Sequence, residues 1–205
     1  MKIVCIGRNY ADHARELGNE PPAEPVFFMK PDTALLRNNQ PFFMPDFSQE
    51  LHHEVEVVLR ICRLGRHIEP RFAHRYYDAI TVGIDFTARD LQRQCAQQGL
   101  PWEKAKAFDG SAPIGDFVEL AGNEFDIAAG IDFRLDLNGT TVQQGNTRDM
   151  LFGFDELIAH TSRYITYRTG DLLFTGTPVG VGPVRIGDRL KAYLGERLML
   201  DFFVK

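Results

Sequence analysis

The sequence predicts a single β-rich α+β domain. Short runs of β-branched and aromatic residues recur along the chain and end at glycine, proline or asparagine turns, whereas only a few segments carry helix signals. A length of 205 residues suits one domain with a sizeable core. The sequence has no repeats, no low-complexity tracts and no composition shift that would mark a domain boundary. We therefore expect residues 1–205 to form one unit.

The composition excludes several classes of protein. A net charge of −5 at pH 7 argues against a general nucleic-acid surface. No apolar run approaches the roughly 20 residues of a membrane span, and residues 1–5 lack the apolar region of a signal peptide. The three cysteines, Cys5, Cys62 and Cys95, form no CxxC pair, which disfavours zinc and disulfides. We expect buried thiols in a reducing compartment, with the cytoplasm as the location.

The N-terminal elements include a first pair of chemically interesting residues. Residues 2–7 are predicted as a buried strand and residues 8–18 as a short helix, with Asn9 as its cap and a glycine as its stop. In that helix His13 and Glu16 are three apart and therefore neighbours on one face. A histidine with a carboxylate partner is suited to be a general base. An exposed pair of this kind is also common on ordinary helices, so both interpretations stay open.

The segments that follow lead to an acidic strand. Residues 20–25 are too rich in proline for a helix, and residues 26–31 are typical of a strand that ends at a proline. Residues 31–50 have the composition of an exposed loop. Residues 52–62 then alternate between acidic and apolar side chains before becoming apolar, which predicts a strand.

The acidic strand carries the first signal of a binding site. Because side chains alternate along a strand, Glu54 and Glu56 share one face while Val55 and Val57 point to the other. Two carboxylates about 7 Å apart repel each other unless a positive group lies between them. Mg²⁺, Mn²⁺ and Ca²⁺ prefer carboxylate oxygens, so a hard cation is the natural candidate. The alternative is a half-exposed strand with two glutamates on its solvated face.

A third acid lies at a junction between predicted elements. Residues 69–79 are predicted as a surface helix, 80–87 as a strand and 88–98 as a helix that ends at a glycine. Asp85 falls close to the end of that strand, where the following helix begins. A carboxylate in such a position can serve a ligand site or interact with the dipole of the helix.

The C-terminal half is predicted to be mainly β. Residues 101–110 have the character of a loop, and 150–167 have the apolar spacing of a helix. Asn138-Gly139 between two alternating runs predicts a hairpin. From residue 169 onward the pattern is that of strands. The glycine-rich stretch 175–183 lacks the Gly-Lys-Ser/Thr of a phosphate-binding loop.

Seven stretches, taken in order, resemble the fumarylacetoacetate hydrolase family, and in particular its short, single-domain members. They are Gly7-Arg8-Asn9-Tyr10 with His13 and Glu16, Phe28-Met29-Lys30-Pro31, His52-His53-Glu54-Val55-Glu56, Gly83 to Gln92, Trp102 to Gly110, Asn138-Gly139, and Thr175 to Pro183. Each stretch is weakly diagnostic alone, whereas the ordered set is specific. The sequence has no counterpart of the N-terminal domain of longer members, which disfavours fumarylacetoacetate itself as the substrate.

The resemblance implies a mixed β-sandwich roll with a few peripheral helices, usually a homodimer, that holds a divalent cation. Carried over residue by residue, the metal ligands are Glu54, Glu56 and Asp85. The implied cation is Mg²⁺, which Mn²⁺ often replaces. Three carboxylates that leave coordination positions open also suit Mg²⁺, because this ion keeps water or substrate oxygens in its octahedron.

The resemblance also implies catalytic and substrate-binding residues. Lys106 matches an active-site lysine, and Gln92 matches a polar group near the metal-bound waters. His13 and Glu16 match a dyad on a lid segment, within residues 1–25, that closes over the substrate. The weaker assignments are the substrate-binding residues Arg8, Lys30, Arg89 and Thr177. For these four, a structural role such as an ion pair or a turn contact is the alternative.

The implied activity is on a 2-oxo acid. We expect C–C bond hydrolysis of acylpyruvates to pyruvate and a carboxylic acid, with oxaloacetate decarboxylation as an additional activity. His13, oriented by Glu16, would be the base for the attacking water, and Lys106 would stabilise the oxyanion. An isomerase or decarboxylase of 2-hydroxy-dienoate diacids and a tautomerase of oxaloacetate remain open. A non-catalytic domain that binds metal or carboxylate is the alternative from another class. No membrane or nucleic-acid partner is expected.

Overall fold

A six-stranded mixed sheet lies at the centre of the computed structural model, which describes residues 1–16, 20–122 and 125–205, without the side chains of 13–15 and 122. In spatial order its strands are β2 (Val26–Lys30), β1 (Ile3–Gly7), β12 (Leu172–Phe174), β5 (Val55–Ile61), β6 (Tyr77–Ile84) and β9 (Val118–Glu119). β12 runs parallel to β1 and antiparallel to β5. The first and the twelfth strands of the chain are therefore neighbours.

Three further sheets complete the β structure of the described residues. The four-stranded sheet contains β11 (Thr140–Asn146), β10 (Asp132–Leu137), β14 (Arg189–Leu194) and β15 (Arg197–Phe203). The smaller sheets contain β13 (Gly182–Pro183), β4 (Leu51–His53) and β7 (Thr87–Ala88), and β3 (Leu35–Leu36) with β8 (Ala112–Pro113). Side chains of the two larger sheets, among them Val57, Val82, Phe133 and Ala192, share one apolar core. This packing forms the sandwich.

The helices are short and peripheral. They are α1 (Ala11–Glu16), α2 (Pro70–Ala73), α3 (Arg89–Gln98), α4 (Glu103–Lys106) and α5 (Phe154–Thr161). α3 ends as predicted, because Gly99 adopts φ 65° and its N–H donates to carbonyl oxygens of the last turn. No helix in the described part of the chain has the length and apolarity needed to cross a membrane.

The prediction of a β-rich α+β fold is confirmed, and several elements lie where the pattern indicated. β1, β2 and α3 match the predicted segments within one or two residues. The predicted hairpin joins β10 to β11 through Asn138 at φ 53° and Gly139 at φ 85°. Positive φ at both turn residues is the requirement of a type I′ turn, which explains the Asn-Gly pair.

Three predicted elements have wrong bounds. The helix predicted over 69–79 is only α2, because the chain enters β6 at Tyr77, which pairs with Ile61 of β5. The segment 101–110 contains α4 rather than only a loop. The helix predicted over 150–167 is confined to α5, which begins after Gly153. In the first case a contact with a distant strand overrides the local propensity.

Two side chains also differ from the sequence-based expectation. Asn9 was predicted to cap a helix, but its observed hydrogen bonds go to other segments. Its Nδ2 donates to the carbonyl oxygens of Phe152 at 3.1 Å and Thr175 at 2.8 Å. It therefore joins the end of β1 to two distant loops. Cys5 and Cys95 are buried as expected, whereas Cys62 is partly exposed.

The acidic strand is not half-exposed. β5 lies inside the central sheet between β12 and β6, and buried residues alternate onto both of its faces, so both faces are covered. Glu56 is 1% exposed, and its neighbours Val55 and Val57 are fully buried. A buried carboxylate requires compensating partners, so the alternative of a solvated face does not hold.

Candidate active site

A break between two strands brings three carboxylates together. β4 ends at His53 and β5 begins at Val55, so Glu54 lies in the gap while Glu56 lies inside β5. Asp85 directly follows β6, and its N–H donates to the carbonyl oxygen of Glu54 at 2.8 Å. One ligand atom from each of Glu54, Glu56 and Asp85 lies within 4.8 Å of the others. The strand ends therefore fix the acids as a buried triad.

Three buried cations contact this triad. Lys106 Nζ donates to Glu54 Oε2 at 2.8 Å and to Asp85 Oδ2 at 2.7 Å. The guanidinium of Arg89 donates to Glu54 Oε1 at 2.5 Å. Lys30 Nζ lies 2.8 Å from Asp85 Oδ1. The three cations are thus paired with Glu54 and Asp85 within the protein interior.

Burial and mutual repulsion set the protonation of the triad. Burial, and then the charges of Asp85 and Glu54, raise the pKa of Glu56 well above its usual range, although Gly176 N–H donates to its Oε2 at 2.7 Å. Burial alone would lower the pKa of Lys106, but the neighbouring Asp85 and Glu54 raise it above its usual value. Lys106 is therefore an ammonium, whereas its charge and the N–H of Gly176 only partly offset the burial and repulsion that raise the pKa of Glu56.

The donor set fits a hard divalent cation. Carboxylate oxygens are the ligands that Mg²⁺ and Mn²⁺ prefer. Each carboxylate oxygen has two lone pairs, so it can accept a hydrogen bond from Lys106 or Arg89 and still coordinate a metal. A cation next to Glu56 would also counter the burial and the repulsion that raise its pKa. Among the residues that the structure describes, the triad is the one acidic group with metal-binding spacing.

The triad lies in the wall of a cavity of about 450 Å³. Its charged lining consists of Arg8, Glu16, Glu54, Glu56, Asp85, Arg89, Arg93 and Lys106. Its other lining residues include the apolar Ile6, Val26, Phe28, Ala96, Trp102 and Val181. The cavity thus combines a charged end with an apolar wall, as ligand pockets generally do.

The N-terminal segment supplies another part of the wall. Arg8 directly follows β1, adopts φ 59°, and lines the cavity together with Gly7. Glu16, at the end of α1, also lines the cavity, and its Oε1 accepts the N–H of Gly180 at 3.1 Å. His13 belongs to α1, but its side chain lies outside the described part of the chain. Of the two side chains of the predicted dyad, the structure therefore describes that of Glu16.

The remaining predicted residues differ in their access to the cavity. Gln92 lines it and accepts a hydrogen bond from Arg89 at 2.5 Å. Thr177 lines it too, although its hydroxyl donates to the carbonyl oxygen of Val55 at 2.8 Å. Lys30 is not among the lining residues, since its ammonium is enclosed by Asp85 and by Ser111 Oγ at 2.9 Å. That location gives Lys30 a contact with a triad acid rather than with the cavity.

Sequence reasoning missed two kinds of residue in this region. Arg93 lines the cavity and forms an ion pair with Glu50. It lies four positions after Arg89 on α3, so helical spacing could have revealed it. Phe28 and Trp102 form the aromatic part of the apolar wall, with ring centroids 6.0 Å apart. They come from segments far apart in sequence, and no local pattern joins them.

Comparisons with known proteins agree with this geometry. The profile of the family described as fumarylacetoacetate (FAA) hydrolase C-terminal matches residues 2–199. The oxaloacetate tautomerase YcgM of Escherichia coli is 41% identical over 189 residues, which cover 92% of this chain and 86% of that protein. Both matches extend over almost the whole chain.

Solved structures share the fold at similar coverage. The fumarylpyruvate hydrolase of Pseudomonas aeruginosa, solved with Mn²⁺ and pyruvate, has a TM-score of 0.94 and 34% identity and covers 100% of this chain and 89% of its own. The 5-carboxymethyl-2-hydroxymuconate delta-isomerase of Mycobacterium smegmatis has a TM-score of 0.86 and 32% identity, with 99% and 78% coverage. The chain belongs to the fumarylacetoacetate hydrolase family, as the matched profile, these relatives and the shared fold show.

Proposed function

We propose that this protein is a divalent-metal-dependent enzyme that converts 2-oxo acids through their enolates, with oxaloacetate as its first candidate substrate. The observation that carries the proposal is the wall where Glu54, Glu56 and Asp85 meet Lys106 and Arg89 inside one cavity. In the proposal the three acids hold Mg²⁺ or Mn²⁺. When bound, the cation supplies Lewis-acid stabilisation of negative charge on the substrate's oxygens.

The side chains around the triad have separate roles in this proposal. Lys106, kept as an ammonium by Glu54 and Asp85, donates a hydrogen bond to the oxygen on which enolate charge develops. Arg89 and Lys30 fix the orientation of Glu54 and Asp85 through their ion pairs. Gln92 orients Arg89 and offers its amide to the cavity.

Proton transfer at the carbon next to the keto group is assigned to the N-terminal segment. His13, with Glu16 as its partner, is proposed to remove and return that proton. Glu16 lines the cavity, which supports a role close to the substrate. Arg8 and Thr177 are proposed substrate contacts from the same side of the cavity. Within this scheme, residues 1–25 include a lid that closes over the substrate.

Charge balance supports a diacid substrate. The acids Glu54, Glu56 and Asp85 and the cations Lys30, Arg89 and Lys106 have equal and opposite charge, and all are buried. A bound divalent cation therefore leaves two net positive charges in a region of low dielectric constant. A substrate with two carboxylates, such as oxaloacetate, neutralises them. The tautomerase relative at 41% identity supports the same choice.

Hydrolysis of acylpyruvates is the second candidate, and the apolar wall favours it. The cavity of about 450 Å³ lies within the range that holds drug-sized ligands, which exceeds the needs of a four-carbon acid. Phe28 and Trp102 offer an apolar surface to an acyl chain. In this reaction His13 would activate the water that attacks the distal carbonyl. Decarboxylation and the isomerisation of dienoate diacids would use the same triad with different proton transfers.

A direct comparison of substrates tests the proposal. The protein is stripped with a chelator, Mg²⁺ or Mn²⁺ is added back, and the enol absorbance of oxaloacetate and of an acylpyruvate is followed side by side. Metal-restored interconversion of oxaloacetate tautomers, without CO₂ release, supports the first candidate. Formation of pyruvate from the acylpyruvate supports the second. No turnover of these acids or of dienoate diacids would contradict the enzymatic proposal and leave a metal-binding domain.

The assembly that we propose is a cytoplasmic homodimer. Phe43 and Ile186 are each 70% exposed, and Phe203 is 47% exposed. A backbone hydrogen bond from the N–H of Phe42 to the carbonyl oxygen of Phe203 joins the segment that carries Phe43 to the strand that carries Phe203. Exposed apolar groups of this size are typical of subunit interfaces. Sedimentation velocity of the purified protein gives the oligomeric state directly, and a monomer would contradict this part of the proposal.

A further inference from the structure

Gln143 is a buried amide that lies outside the cavity wall and uses all of its hydrogen-bonding capacity. Its Oε1 accepts from the N–H of Val55 at 3.0 Å and from His53 Nδ1 at 2.9 Å. Its Nε2 donates to Thr177 Oγ1 at 2.9 Å and to the carbonyl oxygen of Pro178 at 3.0 Å. Because a backbone N–H and a backbone carbonyl lie at opposite ends, the orientation of the amide is fixed.

The acceptor end of Gln143 binds the backbone next to the break between β4 and β5 at which Glu54 lies. Val55 stands between Glu54 and Glu56, and β12 does not extend far enough to pair with it. Without Gln143, the N–H of Val55 would lack this acceptor inside a fully buried segment. The hydrogen bond therefore holds the backbone on which both glutamates are mounted.

The donor end of Gln143 holds the opposite segment. Thr177 and Pro178 belong to the glycine-rich stretch whose Gly176 donates to Glu56 and whose Gly180 donates to Glu16. One amide thus connects the backbone of two triad acids to the loop that contacts the N-terminal part of the cavity. Its four partners lie 34 to 90 residues away in sequence.

We infer that Gln143 is a positioning residue that sets the spacing of Glu54 and Glu56 for a divalent cation and ties that spacing to the loop facing Glu16. The inference rests on the metal site of the proposed function. Residues behind metal ligands typically change metal affinity by about 10–100-fold when they are replaced. An amide that bonds the backbone between two ligands belongs to this group.

Mn²⁺ binding to the chelator-stripped protein, measured by electron paramagnetic resonance, tests the inference. Gln143→Met keeps the length of the side chain and removes all four hydrogen bonds, so its Mn²⁺ dissociation constant should rise by about 10–100-fold. Gln144→Met is the matched control, because Gln144 is the exposed neighbour on the same strand. Equal Mn²⁺ affinity in the wild type and both variants would overturn the inference.

A second variant separates positioning from stability. Gln143→Glu keeps acceptors for Val55 and His53 but, when ionised, cannot donate to Thr177 and Pro178. Its Mn²⁺ affinity should not fall, because the acceptors for Val55 and His53 remain and the added negative charge favours a cation, while kcat/KM falls because the loop contact is lost. Cooperative thermal unfolding is checked first, and if Gln143→Met does not fold, Gln143→Glu decides. A tenfold or larger loss of Mn²⁺ affinity in this variant, on the order of the effect expected for Met, would overturn the acceptor role.

The metal titration also distinguishes this inference from the proposed function. A wild-type protein that binds Mn²⁺ but turns over no 2-oxo acid would contradict the proposed reaction and leave the positioning role of Gln143 open to the same titration. A wild-type protein that does not bind Mn²⁺ would overturn the metal site and the inference together.

Discussion

The cavity has two walls that are built in different ways. The carboxylate wall consists of Glu54, Glu56, Asp85, Arg89 and Lys106, all of them buried. Ion pairs join Glu54 and Asp85 to Arg89 and Lys106, and Glu56 is mounted on the central sheet. Such a wall is preorganised by contacts within the protein.

The N-terminal wall consists of Gly7, Arg8 and Glu16, with Gly180 as the contact of Glu16. Glu16 and Gly180 are more exposed than the carboxylate wall, and a hydrogen bond of 3.1 Å joins them. Exposed backbone hydrogen bonds open more easily than buried ones. We expect the carboxylate wall to supply the chemistry that all family reactions share, and the N-terminal wall to decide which reaction follows.

Replacing Glu56 by glutamine tests the carboxylate wall with the largest expected effect. The amide keeps an acceptor for Gly176 N–H but removes one charge from the proposed metal site. Activity should fall more than about 100-fold, beyond the effect of residues that only support metal ligands. Mn²⁺ should raise the melting temperature of the wild type and leave that of the variant unchanged.

The metal-free proteins provide the control for that experiment. The pKa of Glu56 is raised, so the metal-free folded state loses stability as the pH rises from the pKa of an unfolded glutamate through the raised pKa of Glu56. Glu56→Gln removes the charge, and its metal-free melting temperature should equal or exceed that of the wild type. A lower value would mean that Glu56 stabilises the fold without a cation, against our interpretation of the triad.

Lys106→Met separates catalysis from metal binding within the same wall. The variant loses the ammonium that contacts Glu54 and Asp85, so kcat should fall by about 100- to 1,000-fold, as for the loss of an oxyanion donor. Mn²⁺ affinity should not decrease, because removal of a positive charge beside two acids favours a cation. Weaker Mn²⁺ binding in this variant would assign Lys106 to metal-site geometry instead.

His13→Ala compares the two walls directly. If the N-terminal wall selects the reaction, hydrolysis of an acylpyruvate should fall by about 100-fold or more, the usual contribution of a general base. Oxaloacetate decarboxylation, which needs no attacking water, should fall far less. Steady-state rates on both substrates give the ratio, and an equal loss would mean that His13 is not a dedicated base for water.

The smallest effect is expected at Asp90, which follows Arg89 of the carboxylate wall in sequence. Burial would raise the pKa of Asp90, but hydrogen bonds from Ser48 Oγ at 2.6 Å and from the N–H of Gln49 at 2.9 Å and Leu91 at 2.9 Å lower it below its usual 3.8. Asp90→Asn should cost about 1 kcal/mol at pH 7, typical of a lost hydrogen bond.

The pH dependence of that cost has a definite sign. A lowered pKa in the folded state contributes stability above the unfolded pKa and loses it as the pH falls through the folded pKa. The difference in the free energy of unfolding between the wild type and Asp90→Asn should therefore become smaller below about pH 4. Urea unfolding at pH 7 and at pH 3 measures this difference. An equal difference at both pH values would show that the charge of Asp90 does not contribute to stability.

Local patterns in the sequence were sufficient for some elements and not for others. The hairpin at Asn138 and the end of α3 at Gly99 depend on backbone angles that few residue types accept, so nearby sequence determines them. The helix expected over 69–79 was wrong, because pairing of Tyr77 with Ile61 is a tertiary contact. The alternation around Glu54 indicated a strand but could not show that both faces are covered.

The site shows the same limit. The triad could be assigned because the family resemblance joins Glu54, Glu56 and Asp85 across the chain. The enclosure of Lys30 by Ser111 and Asp85 could not be predicted, because nothing near Lys30 in the sequence indicates those partners. Gln143 was missed for the same reason, because a buried amide on a hairpin strand resembles any polar residue until its four partners are known.

The parallel pairing of β1 with β12 has a consequence for synthesis of the chain on the ribosome. β12 separates β1 from β5, so the facing edges of these two early strands have no partner until Phe174 has been made. Gly176, whose N–H donates to Glu56, is translated just after that strand. A nascent chain that stops before this point lacks a closed central sheet, and unpaired edges of this kind promote aggregation. The cavity therefore forms late, when most of the protein has already left the exit tunnel.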